Sequence, residues 1–280
     1  MAGRAMLQQA IAEAAAALAA AGIDSARADA ELLAAHVAGV DRGLLRFTEP
    51  APDFPDRYRA LIGQRALRIP LQHLVGSAAF GPLLLTVGPG VFIPRPETEA
   101  LLEWAHSVPV PVDGLILDLC TGSGALALAL ATHRPDVRVI AVEYSEEALR
   151  YARANVAGSR VELIHADVTA PDLLDDLNGQ VDLVVSNPPY IPVGADLEPE
   201  VAEHDPHVAL FGGPDGMAVI APIVDLVSRL LRPGGQVGVE HDDTTSAATM
   251  DLFGAAGAFT GITARRDLAG RARFVTAVRS

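Results

Sequence analysis

An α/β fold is what this sequence predicts: a mostly parallel sheet with helices on both faces, behind a small helical domain. Three observations carry the prediction. Residues from about 5 to 70 show helical apolar periodicity. Residues from about 71 to 95 alternate short apolar runs with glycine and proline. Beyond them, continuous apolar runs of strand length alternate with amphipathic helical stretches. The expected division is therefore a helical domain at 1–76, a hairpin and linker at 77–95, and an α/β domain at 96–280.

Each element has its local reason. "AMLQQAIAEAAAALAAAG" is periodic and stops at Gly22; "SARADAELLAAHVAG" opens on Ser25, a candidate cap, and stops at Gly39. "PDRYRALIGQRAL" has proline near its start, where the missing N–H costs nothing. The stretch "LVGSAAFGPLLLTVGPGVFIPRPETE" reads as a hairpin followed by a linker. Strands are then expected at "LILDL", "VRVIAV", "VELIH", "VDLVVS", "GQVGVE", "FTGITA" and "ARFVTAV". Helices fall between most of them, notably "GALALALATH", "SEEALRYARANV" and "GMAVIAPIVDLVSRLL". Strands this apolar along their whole length are buried on both faces, which implies parallel pairing with helical crossovers.

Composition narrows the function. Hydrophobic residues make up 50% of the 280, enough for a substantial core. A single cysteine, Cys120, excludes an internal disulfide framework and a cysteine-rich zinc site, and fits a reducing, cytoplasmic setting; no metal site is expected. No signal-peptide pattern and no membrane-length apolar span is present, so no membrane partner is expected. The net charge of −14 opposes binding to naked nucleic acid, whose phosphates demand a basic footprint.

The first strand of the α/β region ends at Asp118, and Cys120, Thr121, Gly122, Ser123 and Gly124 turn the chain into a helix. Glycines there let a ligand approach the backbone, and the helix start offers free N–H donors. Taken alone, the loop makes a tight turn with no ligand, or meets the loose dinucleotide pattern G-x-G-x-x-G/A. Glu143 after the second strand and Asp167 after the third sharpen it, because in a parallel sheet all three fall at one edge. A carboxylate at Glu143 can accept both hydroxyls of a ribose. Asp167 can meet an adenine amino group with Val168 against the ring. One such acid alone caps a helix or faces solvent; three sites at successive strand ends point to a ligand.

The fourth strand ends in "SNPPYI", and the same edge rule puts Asn187 beside the reactive end of that ligand. Pro188 and Pro189 fix φ and remove two N–H groups, which stiffens the corner. The Asn187 side-chain oxygen and the Pro188 carbonyl can accept the two protons of a planar NH2 group, and the ring of Tyr190 can pack on its face. A proline-terminated strand with a packing tyrosine is the plain alternative.

These spacings resemble the class I S-adenosylmethionine-dependent methyltransferases, and N-P-P-Y resembles the corner of those that act on exocyclic amines or glutamine amides. Further stretches resemble one family among them, the HemK/PrmC-type release-factor glutamine methyltransferases. They are "PLQHLVGSAAFGPLLLTVGPGVFIPRPETEALLE", "LDLCTGSGALALALA", "VVSNPPYIP", "EVAEHDPHVALFGGPDGM", "LLRPGG" and "DLAGRARFV". The resemblance implies a Rossmann-like seven-stranded sheet and S-adenosylmethionine as cofactor. Residues 120–124 would pack under its methionine part, and Glu143 would match the ribose-binding acid. It further implies transfer of a methyl group to the glutamine of the Gly-Gly-Gln loop of class 1 peptide chain release factors. Asn187, Pro188 and Tyr190 would be the catalytic residues, Asn187 also touching the cofactor, and Pro189, Arg95 and Glu97 would join them in binding substrate. Cys120 stands where that family commonly has glycine; His241, after Glu240, does too, and is expected on the surface or as a cap. The rivals are an adenine-N6 nucleic-acid methyltransferase, which needs a basic groove and a base-flipping pocket, a nicotinamide-dependent oxidoreductase, which leaves N-P-P-Y unexplained, and a non-catalytic cofactor-sensing module.

Overall fold

The structure, a computed structural model, describes residues 2–280. The chain forms two compact units, one of residues up to Ser77 together with Glu198–His204, the other of Ala78–Leu197 and Asp205–Ser280.

In the first unit, α1 (Ala2–Ala20), α2 (Ala26–Ala38) and α3 (Phe54–Ala66) pack on an apolar core. Leu7, Ile11, Ala14 and Leu18 recur at helical spacing on α1 and are all buried. The hydroxyl of Tyr58 donates to the Ala30 carbonyl at 2.8 Å, which lets a tyrosine sit inside that core. Gly39 ends α2 in the left-handed conformation, as expected, whereas Ser25 precedes α2 without any side-chain capping bond. A short helix, α4 (Leu71–Val75), occupies the start of the stretch expected to be hairpin and linker. The buried guanidinium of Arg65 pairs with Asp29 at 2.7 Å and with Glu200 at 3.0 Å, and Arg68 reaches Glu198 and Glu200. These ion pairs tie the distant segment 198–204 into the helical unit.

The second unit begins with the hairpin β1 (Ser77–Phe80) and β2 (Leu83–Thr86). After α5 (Glu99–Ser107) come β3 (Leu115–Leu119), α6 (Ala125–His133), β4 (Arg138–Glu143), α7 (Glu146–Asn155), β5 (Val161–His165) and β6 (Val181–Ser186). The chain returns through α8 (Pro199–His204, in the first unit), α9 (His207–Leu210) and α10 (Ile220–Leu230) to β7 (Leu231–Glu240). It ends with α11 (Ser246–Ala255), β8 (Phe259–Arg266) and β9 (Ala272–Arg279). Among the described residues the main sheet has seven strands in the order β5-β4-β3-β6-β7-β9-β8. All neighbours from β5 to β7 are parallel, and β9 is antiparallel to both β7 and β8.

Side chains alternate across this sheet, so each face has its own core. Ile116, Val139, Leu183 and Val185 face one cluster with α5 and α6; Leu117, Val142, Val184 and Val239 face the other with α10. The strand order reverses between β3 and β6, the place where open α/β sheets leave a crevice at their carboxyl ends. The register pairs Leu119 with both Val142 and Ser186, and Glu143 with His165. Four strands thus end level, and the segments that follow them share one rim.

Candidate active site

A cavity of about 410 Å³ opens on that rim. Asp118, Cys120, Thr121, Gly122, Ser123, Glu143, Asp167, Val168, Asn187, Pro188, Pro189 and Tyr190 all line it. Gly124 does not; it lies beneath, at φ +84° as the first cap of α6, packed on Val156. Arg95 and Glu97 also lie off the cavity wall. Arg95 is ion-paired to the buried Asp205 and stacked over Phe92, while Glu97 is exposed.

The loop after β3 is folded around a carboxyl group. Asp118 is fully buried, and its Oδ2 accepts from the Thr121 hydroxyl at 2.6 Å and the Ala127 N–H at 3.0 Å. Its Oδ1 has no partner among the described residues. Burial pushes the Asp118 carboxyl up to about 7, against the pull of those two hydrogen bonds. Cys120 has φ +61°, in the left-handed region that favours glycine, which is the physical reason a glycine is the commoner choice there. Burial also raises its thiol pKa, so it is no reactive nucleophile.

Glu143 clamps the same loop from β4. Its Oε2 accepts the Gly122 N–H at 2.7 Å and its Oε1 the Ser145 N–H at 2.8 Å. Burial raises its pKa, opposed by these backbone donors. Each oxygen keeps a further lone pair for a ligand hydroxyl. Asp167 is exposed, with Oδ1 accepting from Thr169, and the neighbouring Val168 is buried.

The corner after β6 is held from three sides. Asn187 donates its Nδ2 to the hydroxyl of buried Thr98 at 3.1 Å, which leaves its side-chain oxygen as the acceptor available to the cavity. The Tyr190 hydroxyl donates to Oε1 of Glu240 at 2.9 Å. Ile191 bridges to Phe211, and its N–H donates to the Leu210 carbonyl at 2.8 Å. The glycines of "FGGPDG" follow from this contact: a Cβ on Gly212 would lie 2.6 Å from the Pro189 carbonyl oxygen, and one on Gly216 would strike the Tyr190 carbonyl oxygen.

Sequence reasoning missed Thr98, Glu240 and Arg273, which meet behind this corner. Glu240 is 1% exposed, and burial pushes its carboxyl up to about 7 despite the hydroxyls of Thr98 and Tyr190 and the charge of Arg273. The available signal was their location: Thr98 in "IPRPETE" and Arg273 in "DLAGRARFV", two segments marked by resemblance, and Glu240 at the end of the expected strand "GQVGVE". The exposed Tyr144, together with Phe92 and Phe211, also lines the cavity unannounced; for Tyr144 the signal was its place directly after Glu143. His241, expected on the surface or as a cap, is fully buried, and bonds through Nδ1 to the Asp242 carbonyl at 2.7 Å; burial lowers its pKa.

Comparison with known proteins adds to this geometry. Residues 9–76 match the PrmC N-terminal domain and residues 89–204 the methyltransferase small domain. A release factor glutamine methyltransferase of Mycolicibacterium smegmatis is 66% identical over 98% of each chain. One of Mycobacterium tuberculosis (strain ATCC 25618 / H37Rv) is 62% identical over 98% of this chain and 91% of that one. The chain belongs to the release factor glutamine methyltransferase family. Its fold is also that of a methyltransferase from Pyrococcus furiosus, at TM-score 0.52 and 18% identity over 72% of this chain and 90% of that one. The chain is thus a class I, Rossmann-like methyltransferase in fold. Among the described residues no group of three or more His, Cys, Asp or Glu could hold a metal ion, and no helix is long and apolar enough to cross a membrane.

Proposed function

We propose that the protein transfers a methyl group from S-adenosylmethionine to the side-chain amide nitrogen of the glutamine in the Gly-Gly-Gln loop of class 1 peptide chain release factors. The observation that carries this reading is the Asn187 corner: a rigid pair of acceptors on the cavity that the glycine loop also lines. The residues present fit the cofactor. Glu143 has lone pairs left for ribose hydroxyls, Asp167 and Val168 stand together at the β5 end for adenine, and Asp118, whose Oδ1 has no partner among the described residues, lines the same cavity.

When bound, S-adenosylmethionine supplies a methyl carbon made electrophilic by its sulfonium. The chain's own residues have to orient the other reactant. An amide nitrogen is a poor nucleophile because its lone pair is delocalised into the carbonyl. The Asn187 oxygen and the Pro188 carbonyl accept its two N–H bonds, aim the nitrogen, and stabilise the positive charge that grows on it, which is discharged when one of those two protons leaves after the transfer. Positioning of this kind is worth roughly 7–11 kcal/mol in favourable intramolecular cases. The Tyr190 ring packs on the carboxamide.

In this reading the helical domain, residues 1–76, docks the release factor, 77–95 links, and 96–280 carries out the transfer in the cytoplasm. The net charge of −14 argues against naked nucleic acid as the acceptor. Mass spectrometry of release factor after incubation with enzyme and S-adenosylmethionine tests the reading. A gain of one methyl on the Gly-Gly-Gln peptide is expected; an unchanged peptide rejects it.

A further inference from the structure

The segment leading from the hairpin towards α5 runs along α7 in a fixed register. Glu147, Tyr151 and Asn155 stand four residues apart and so share one face of that helix. Each meets a different point of residues 86–90. A Cβ on Gly90 would lie 2.7 Å from Oε2 of Glu147. The Tyr151 hydroxyl donates to the Pro89 carbonyl at 3.1 Å, and a Cβ on Gly88 would lie 2.6 Å from that hydroxyl oxygen. Asn155 accepts the Thr86 N–H at 2.7 Å through Oδ1 and donates to the Thr86 carbonyl at 3.0 Å through Nδ2. It pairs with the end of β2 much as a neighbouring strand would.

The other Nδ2 proton of Asn155 reaches the Ser123 carbonyl at 2.9 Å. Ser123 belongs to the glycine loop and lines the cavity. One side chain therefore bonds the cofactor loop and this strap together. Further along, the strap lines the same cavity with Gly90, Phe92 and Pro94, and its last turn carries Thr98, whose hydroxyl accepts from Asn187. Val87, Val91 and Ile93 are buried and seat the strap in the core. Apolar burial is non-directional, so its alignment with the glycine loop is left to polar bonds.

We propose that Asn155 is a positioning residue for methyl transfer: it locks the strap 86–98 to the glycine loop and so fixes the acceptor wall relative to the bound cofactor. This rests on the reading of the cavity as the methyl-transfer site. The carboxamide is used in full, its oxygen taking one N–H and its two protons going to two carbonyls. A carboxylate in its place would keep the first bond and set an oxygen against both carbonyls. Cofactor and release factor both need the strap in one place, so whichever binds first already orders it for the other. Each should therefore raise the affinity for the other by the same factor. The bonds lie at the partly exposed rim, where water can take a lost partner's place, so the fold survives their loss.

The test uses Asn155→Asp, Tyr151→Phe and, as a control on the same helix, Arg153→Ala, which removes a surface pair with Glu146. Calorimetry measures release-factor binding with and without S-adenosylhomocysteine, the demethylated cofactor. Hydrogen exchange follows the amides of residues 86–93 in the ligand-free protein. In the wild-type protein the demethylated cofactor should tighten release-factor binding by about 10-fold, within the ordinary range of such couplings. Asn155→Asp should abolish that difference, speed exchange over 86–93 by about 10-fold and raise KM for release factor, with little change in melting temperature. Tyr151→Phe, which loses the Pro89 bond alone, should move both readings the same way by about twofold. Arg153→Ala should match the wild type. Absence of coupling in the wild-type protein, or a wild-type coupling in Asn155→Asp, overturns the proposal. So does an equal loss in Arg153→Ala, which would mark a general loosening of the helix. If Asn155→Asp fails to fold, Tyr151→Phe decides. Failure of the wild-type protein to methylate release factor removes the underlying reading; methylation with indifferent variants removes Asn155 alone.

Discussion

Two buried carboxyl groups serve opposite walls of one cavity. Asp118 lies under the glycine loop after β3, Glu240 behind the proline corner after β6, and burial pushes each up to about 7. They differ in what they hold. Asp118 gathers a hydroxyl from its own loop and an N–H from the first turn of α6, within nine residues of chain, so its work is local. Glu240 gathers Tyr190 from another strand end and stands by Thr98 from the turn before α5. The lesson is that a cofactor cradle can be built from one contiguous segment, whereas the acceptor receptor needs several segments brought together by the fold.

If the two walls divide the labour in this way, substitutions on them should separate turnover from cofactor affinity. The largest effect is expected for Asn187→Ala. Its kcat should fall by about 10²–10³-fold, the scale of losing a preorganised transition-state partner, while calorimetry shows cofactor affinity nearly unchanged. Equal turnover would break the comparison on the corner side. Glu143→Ala should do the reverse, weakening cofactor binding by roughly 10- to 100-fold, as expected for lost hydrogen bonds to a charged group. A titration showing undiminished affinity would break it on the loop side.

Gly216→Ala sharpens the account of the corner, since the added methyl runs into the Tyr190 carbonyl at a backbone φ of +80°. A loss of about 1–3 kcal/mol in denaturant melts should accompany slower turnover without weaker cofactor binding. The smallest effect is a pH dependence. Asp118 and Glu240 keep their protons in the folded protein to about pH 7, well above the ordinary carboxylate range. The folded state therefore binds more protons than the unfolded chain between about pH 4 and 7. Their contribution to stability is full below that window and is lost as pH rises through it, by at most about 1.4 kcal/mol per pH unit for each group. Denaturant melts of Glu240→Gln should show a flatter slope across the window; an unaltered slope would remove Glu240 from the account.

The sheet was legible in the sequence because burial on both faces writes itself as unbroken apolar runs, as in "LILDL" and "VDLVVS". The rim was legible because parallel strands must end together, which brought Asp118, Glu143, Asp167 and Asn187 to one cavity. What stayed hidden depends on contacts between distant segments. Nothing in "IPRPETE" says that Thr98 rather than Arg95 or Glu97 reaches Asn187, because helix and strand periodicity do not extend to an irregular linker. His241 was misplaced for a related reason: a polar residue after a strand usually faces solvent, and here its ring is buried with one nitrogen satisfied by its neighbour's carbonyl. Ser25 failed as a cap because its backbone sits at φ −84°, ψ 18°, away from the extended conformation that aims a hydroxyl at the helix start.

The ion pairs around Arg65 bear on how this chain can be divided. The segment that Glu198 and Glu200 belong to lies, in sequence, between two strands of the sheet, yet its electrostatic partners are encoded in the first quarter of the chain. Cutting after residue 77 would therefore leave the shortened enzyme with an acidic thread stripped of its cations, just downstream of the proline corner. Trimming by sequence boundary alone is the wrong surgery for this protein; its two parts are stitched, not merely joined end to end.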